Sequence, residues 1–144
     1  MDDDLLRALG AEVMRIAARR TEGYAGSVLD YSAFRVLWRL ADDGPRTLGE
    51  LGEALQLERS TVSRQVRGCV DRGLVERVAG DDDRSHRVRA TAAGLEAYRH
   101  DLAVRGVAWS GALSALGEER AYALVRDLRA FNDGLDAARG RPAR

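Results

Sequence analysis

Residues 44–91 read GPRTLGELGEALQLERSTVSRQVRGCVDRGLVERVAGDDDRSHRVRAT, and the changes of pattern within that stretch decide the fold. Thr47 followed by Glu50 is a capping-box pair: the hydroxyl can accept the amide three residues on while the carboxylate reaches back. Leu48, Leu51 and Leu55 then make the buried stripe of a short helix. The chain turns around Gln56-Leu57-Glu58 and enters a second helix, expected over 59–72. There Val62, Val66 and Cys69 recur at i, i+4 and i+7 and point inward together, which turns Ser60, Arg64 and Arg67 outward. Gly73 is placed to cap that helix. Leu74–Val78 and His86–Ala90 read as two short strands around the turn GDDDRS, a two-stranded wing.

Outward from this stretch the pattern is helical on both sides. Residues 4–21 place Leu5, Leu9, Val13 and Ile16 at helical spacing, ending near Gly23. Residues 31–41 repeat it with Phe34, Leu37, Trp38 and Ala41, and DDGP at 42–45 breaks it. Thr91 is the expected N-cap of a long helix carrying Leu95, Tyr98, Leu102, Trp109 and Leu113. LGEER at 116–120 interrupts and restarts the helix, with acids in the new first turn as the helix dipole prefers. Leu124, Leu128, Phe131 and Leu135 follow at intervals of four, three and four, a seam suited to another helix. The expected fold class is mainly α with a small β-wing: a winged helix-turn-helix lobe over 31–91, and a helical dimerisation region from 1–30 and 92–144.

The chain has 144 residues, 45% of them hydrophobic and 32% charged, which suits one domain with helical extensions. No apolar run approaches the length of a membrane span, and the start MDDDLLRALG is acidic where a secretory signal is basic. Cys69 is the single cysteine, so no internal disulfide framework exists and a reducing cytoplasm is the expected compartment. The formal net charge is zero, but residues 58–91 hold eight arginines against six acids, whereas residues 1–57 hold seven against ten. All 23 basic residues are arginine. The basic window is mild, so geometry must carry any nucleic-acid argument.

A major groove admits one α-helix whose N-terminal side chains reach base edges. Arg59, Ser60, Thr61, Ser63, Arg64 and Arg67 supply suitable chemistry: short hydroxyls that fit close to a backbone, and guanidinium forks for guanine or phosphate. A solvated face on an ordinary bundle would look similar, but such a bundle has no need of a charged hairpin directly after it. Catalytic readings find no support, because phosphate loop, nucleophile elbow and metal-ligand spacing are all missing. His86 and His100 form no ligand cluster, and Cys69, on the inward stripe, reads as a structural thiol. No catalytic residue, metal or cofactor is expected.

With these elements in order, LGELGEALQLERSTVSR at 48–64, DRGLVER at 71–77, Asp82-Asp83-Arg84-Ser85 and Thr91-Ala92-Ala93-Gly94 together resemble the MarR family of winged-helix transcription factors. The agreement runs on through Trp109 and LGEER at 116–120, nearly the whole chain. The resemblance implies that residues 59–72 are the recognition helix. It implies that Arg84 of the wing enters the minor groove with Asp82 holding it, and Ser85 and Arg87 beside them. The terminal helices, matching 4–21 and 92–138, would form an intertwined homodimer through Leu5, Leu9, Leu124, Leu128, Phe131 and Leu135. A small anionic or phenolic ligand would weaken operator binding. The expected function is a sequence-specific double-stranded DNA-binding regulator, a ligand-responsive repressor acting as a homodimer on a pseudo-palindromic operator. The alternative is a winged-helix adaptor that binds protein and not DNA. Three features depart from the family pattern: Glu58 in place of a better N-cap, Gly68 inside the recognition helix at a cost of up to ~1 kcal/mol, and an acidic wing tip at Asp81, Asp82 and Asp83.

Overall fold

Short polar side chains start most of the helices. Asp2 accepts the amide of Asp4 at 3.1 Å to open α1 (Asp3–Ala18), which closes in a 3-10 turn over Arg19–Thr21. Asp30 caps α2 (Tyr31–Asp43) by accepting from Ala33 at 2.9 Å, and Gly44 ends it at φ 74. Thr47 opens α3 (Leu48–Leu55) with the full reciprocal box: Glu50 N–H to Thr47 Oγ1 at 3.2 Å and Thr47 N–H to Glu50 Oε2 at 2.8 Å. The next helix, α4 (Arg59–Asp71), lacks such support, since the Glu58 side chain makes no cap bond. Its far end is firm. Gly73, at φ 69, closes a Schellman motif in which Leu74 N–H reaches Cys69 C=O at 2.9 Å and Gly73 N–H reaches Val70 C=O at 2.9 Å.

The computed structural model describes residues 2–79 and 86–140. Beyond α4 come strands β2 (Val75–Ala79) and β3 (His86–Ala90), then α5 (Ala92–Ser114) and α6 (Glu118–Ala138). The sheet differs from the two-stranded wing expected. A third strand, β1 (Arg46–Thr47), pairs antiparallel with β3, giving the order β1-β3-β2 with Arg46 opposite Val88 and Thr47 opposite Arg87. Two residues are too few for an alternation signal, and both precede a helix cap, so the strand left no trace in the pattern. The first wing strand also begins one residue later than expected, at Val75, because Leu74 belongs to the helix-closing turn.

Two compact units divide the chain, Met1–Val104 and Arg105–Arg144. In the first, Ala33, Val36, Leu37 and Leu40 of α2 meet Leu51 and Leu55 of α3 and Val62, Val66 and Cys69 of α4. Val75 and Val88 close the core from the sheet; Leu29 and Tyr98 enter it from outside 31–91. Each such aliphatic side chain contributes about 1.5–3 kcal/mol through burial. The expected phase of α2 was partly wrong. Trp38 is 41% exposed, with Arg39 stacked 5.3 Å from its ring, and Val36 takes the inward place. Large aromatic area misled the pattern, because two stripes one position apart both fit helical spacing.

One glycine is obligatory. A Cβ at Gly94 would lie 2.0 Å from the Leu74 carbonyl oxygen and 3.0 Å from Leu37 Cδ2. Thr91 completes that junction by donating to Gly73 C=O at 2.7 Å and accepting from Gly94 N–H at 3.0 Å.

The second unit holds the end of α5 and all of α6, joined through Gly117 at φ 81. An open groove of about 510 Å³ lies around Trp109, Leu113 and Ala121. Neither α1 nor α6 contains a buried residue. Their apolar stripes are open instead: Leu5 and Leu9 on α1, and Leu124, Leu128, Phe131 and Leu135 on α6, are all exposed. Among the described residues no helix is long and apolar enough to cross a membrane.

Candidate nucleic-acid interface

The angle between α3 and α4 is set by a tight, well-bonded corner. Gln56 takes the left-handed conformation at φ 55, the one described non-glycine residue to do so. That conformation costs an L-residue roughly 1–2 kcal/mol, so the surroundings must enforce it. Leu57 N–H reaches Gly52 C=O at 2.9 Å, and the Gly52 α-carbon sits so near that a Cβ would lie 3.2 Å from the Leu57 oxygen. From α2, Arg35 Nη2 donates to the last carbonyl of α3, Leu55 C=O, at 2.6 Å. Arg35 also stacks 5.5 Å from the Tyr31 ring.

On α4, Val62, Val66 and Cys69 face the core and Arg59, Ser60, Arg64 and Arg67 lie exposed. Thr61 and Ser63 are half-buried at the flanks of that face. The helix therefore presents guanidinium groups and hydroxyls along one side while its opposite side is locked in the core. Burial pushes the Cys69 thiol up to about 11, and the nearby Asp30 adds to the effect. That leaves Cys69 a protonated packing group near neutral pH.

Beside this face, a crevice of about 160 Å³ runs between the start of α2 and α4, lined by Ser32, Arg64, Gln65, Gly68 and Arg72 among others. Gln65 Oε1 is buried there without a hydrogen-bond partner among the described residues. Gly68 faces open space: a Cβ at that position would meet nothing within 4 Å. No packing contact demands this glycine, so Gly68→Ala is expected to stabilise the fold by about 0.5–1 kcal/mol, read from urea unfolding. A loss of stability would reveal a contact that the geometry does not contain.

The root of the wing is electrostatically knit. Arg87 is half-buried and donates from Nη1 to Pro45 C=O at 3.3 Å. The backbone amide of Thr47 holds the Glu50 carboxyl below the usual carboxylate range; Arg87 and Arg46 add to this, against the opposing effect of burial. A depressed acid stabilises the fold above its unfolded pKa, and that contribution is lost as pH falls through the folded value. Arg89 pairs with Glu76 across the strands at 2.6 Å. Arg87 is thus engaged at the wing's base. Asp82, Arg84 and Ser85 lie outside the described residues, and His86 is exposed at the start of β3.

Sequence reasoning missed three polar residues of this lobe. Asp30 caps α2 and also accepts from Arg72 Nη1 at 2.9 Å; Arg72 Nη2 reaches Val28 C=O at 3.2 Å. Asp101 of α5 is fully buried and accepts from Val28 N–H at 2.8 Å and Leu29 N–H at 3.0 Å. Asp30, immediately before an apolar helical run, carried a readable cap signal. A carboxylate three residues after the buried Tyr98, on the same helix face, was the clue to Asp101.

A helix-turn-helix whose second helix exposes Arg and Ser, backed by a three-stranded wing, defines the winged helix-turn-helix class. Residues 29–85 match the sequence profile of the MarR family. Among solved structures, a MarR family protein from Bacillus stearothermophilus is 24% identical with a TM-score of 0.80, over 94% of this chain and 98% of that one. A MarR family regulator from Neisseria meningitidis is 27% identical, TM-score 0.67, over 97% and 98%. A probable transcriptional regulator from Pseudomonas aeruginosa is 28% identical, TM-score 0.68, over 90% and 96%. No curated protein sequence matches the chain. Residues 29–85 are thus similar to the MarR family's winged-helix lobe, and the chain shares the fold of solved MarR family proteins.

Proposed function

We propose that this protein is a homodimeric, sequence-specific double-stranded DNA-binding regulator, a ligand-responsive repressor working in the cytoplasm. The observation that carries the reading is the exposed row Arg59, Ser60, Arg64 and Arg67 on a helix whose other side is locked in the core. Such a row, flanked by Thr61 and Ser63, fits a major groove, with hydroxyls near phosphates and an arginine fork able to take guanine. Arg84 would enter the flanking minor groove with Asp82 and Ser85 at the wing tip, and Arg87 would brace the wing from its base.

Dimerisation is supported by α1 and α6. Helices in water draw most of their stability from packing an amphipathic face, and these two, 16 and 21 residues long, contain no buried residue. A second copy covering Leu5, Leu9, Leu124, Leu128, Phe131 and Leu135 would supply that packing. Two recognition helices would then sit about 34 Å apart, one turn of a pseudo-palindrome. The 31–91 lobe would read DNA while 1–30 and 92–144 hold the pair together. A small anionic or phenolic effector would act by binding more tightly to a lobe spacing that misses successive grooves.

The test is selection of duplexes from a random pool, then anisotropy titration of the winner at two salt concentrations. Steep salt dependence and a preferred sequence are expected. Binding that ignores salt and sequence would favour the adaptor reading, to which the zero net charge points. Arg64→Ala is expected to cost about 1–3 kcal/mol of operator affinity and to relax preference at one base pair. Uniform weakening across all sequences would instead make Arg64 a phosphate contact.

A further inference from the structure

Residues 26–30 form a strap gripped from two sides. On the α5 side, the His100 ring meets Gly26 C=O at 2.8 Å, and Asp101 takes the amides of Val28 and Leu29 in its two carboxylate oxygens. On the α4 side, Arg72 takes Val28 C=O with one nitrogen and the Asp30 carboxylate with the other. Asp30 meanwhile caps α2 through Ala33 N–H. Val28 is therefore divided, its N–H given to α5 and its C=O to α4, while its side chain stays 56% exposed. The residue is held by its backbone, not by apolar packing. Asp101 has no exposure to solvent, and a buried carboxylate bonded to two amides tolerates little displacement.

We infer that Asp101, acting through this strap and the Asp30–Arg72 pair, is a positioning residue that sets where the recognition helix sits for operator reading. The strap is the covalent route from α1 into the lobe, and Asp101 and His100 lie on α5, so both helical connections converge on the same five residues. Arg72 occupies the C-cap of α4, so its two bonds fix the last turn of the helix whose earlier turns carry Arg59, Ser60 and Arg64. Any shift of α5 against the strap is passed to α4 by hydrogen bonds of fixed length. This inference rests on the DNA-binding function proposed above.

The test compares Asp101→Asn, Asp30→Asn and Arg72→Gln with wild type on the selected duplex, at a temperature where circular dichroism shows each variant folded. Asparagine at residue 30 keeps a helix-capping oxygen while weakening the pair with Arg72. Both surface variants test the strap even if Asp101→Asn fails to fold. The expected result is an affinity loss of about tenfold for each, with the salt slope of wild type retained. The Asp101→Asn/Arg72→Gln double variant should bind no worse than the weaker single. Unchanged affinity in folded variants, or losses that add, would overturn the inference. So would a salt slope reduced by about one in Arg72→Gln, which would mark Arg72 as a phosphate ligand.

Amide hydrogen exchange on the dimer without DNA separates this inference from the function it builds on. Arg72→Gln should speed exchange at Val28 and Leu29, whose partner is Asp101, and Asp101→Asn should speed it at Gly73 and Leu74, beyond Arg72. Effects confined to each variant's own side would defeat the strap even if operator binding is found. Cross-strap effects in a protein without sequence preference would defeat the DNA reading alone.

Discussion

Alanine at residue 94 is expected to unfold the first unit or leave it barely stable. The methyl carbon would sit 2.0 Å from the Leu74 carbonyl oxygen and 2.9 Å from its carbon, so the clash is with backbone and no rotamer change relieves it. The carbonyl cannot retreat freely, since it accepts Thr91 N–H at 3.0 Å, and Leu37 Cδ2 closes the remaining space at 3.0 Å. The first turn of α5 would have to lift off the sheet, breaking the Thr91 bonds to Gly73 and Gly94 together. A loss of at least about 3 kcal/mol is expected, at the upper end for overpacking in a core. Urea unfolding followed by circular dichroism checks it. A midpoint within error of wild type would mean that α5 is not seated on Leu74 as described. Gly68→Ala is the matched control, because the same methyl there meets nothing and should stabilise.

The second large effect concerns α6. Replacing Leu128 and Leu135 together with aspartate puts two charges on an apolar stripe that stays exposed among the described residues. If that stripe is a subunit seam, each charge must be desolvated without a partner when two chains meet, which costs several kcal/mol. The double variant is expected to run as a monomer in analytical ultracentrifugation at micromolar concentration. Operator affinity should fall by roughly a hundredfold or more, since each lobe would then bind a half-site without the gain in effective concentration from its twin. Folding of the first unit should be unaffected, because its core draws on neither residue. A dimer that survives both substitutions would move the seam elsewhere, and a monomer binding as tightly as wild type would remove dimerisation from the mechanism.

Legibility in the sequence followed the physics of each signal. The capping box at Thr47 and Glu50 was readable because it depends on two side chains at fixed spacing, and both of its bonds are present. The inward set Val62, Val66 and Cys69 was readable because Arg and Ser residues fill the opposite side of α4. In α2, Val36 and Leu37 are buried while Trp38 is 41% exposed, so stripes offset by a position or two fit the same spacing and Trp38 displaced Val36 from the expected set. Strand β1 was invisible, since two residues carry no period and their partners Val88 and Arg87 lie 42 and 40 residues away. The strap was missed for the same reason, its bonds joining residues 72 and 73 apart. Local chemistry was legible and long-range polar pairing was not.

Strand β1 has a further consequence. By pairing with β3, Arg46 and Thr47 occupy hydrogen-bonding groups that a bare hairpin would present to any passing extended chain. The opposite border, β2, is five residues long and interrupted by Glu76 and Arg77. A border so brief and so charged is a poor template for intermolecular strand addition. The lobe should therefore resist fibril growth even when its concentration is high, and seeding with preformed amyloid should leave it soluble.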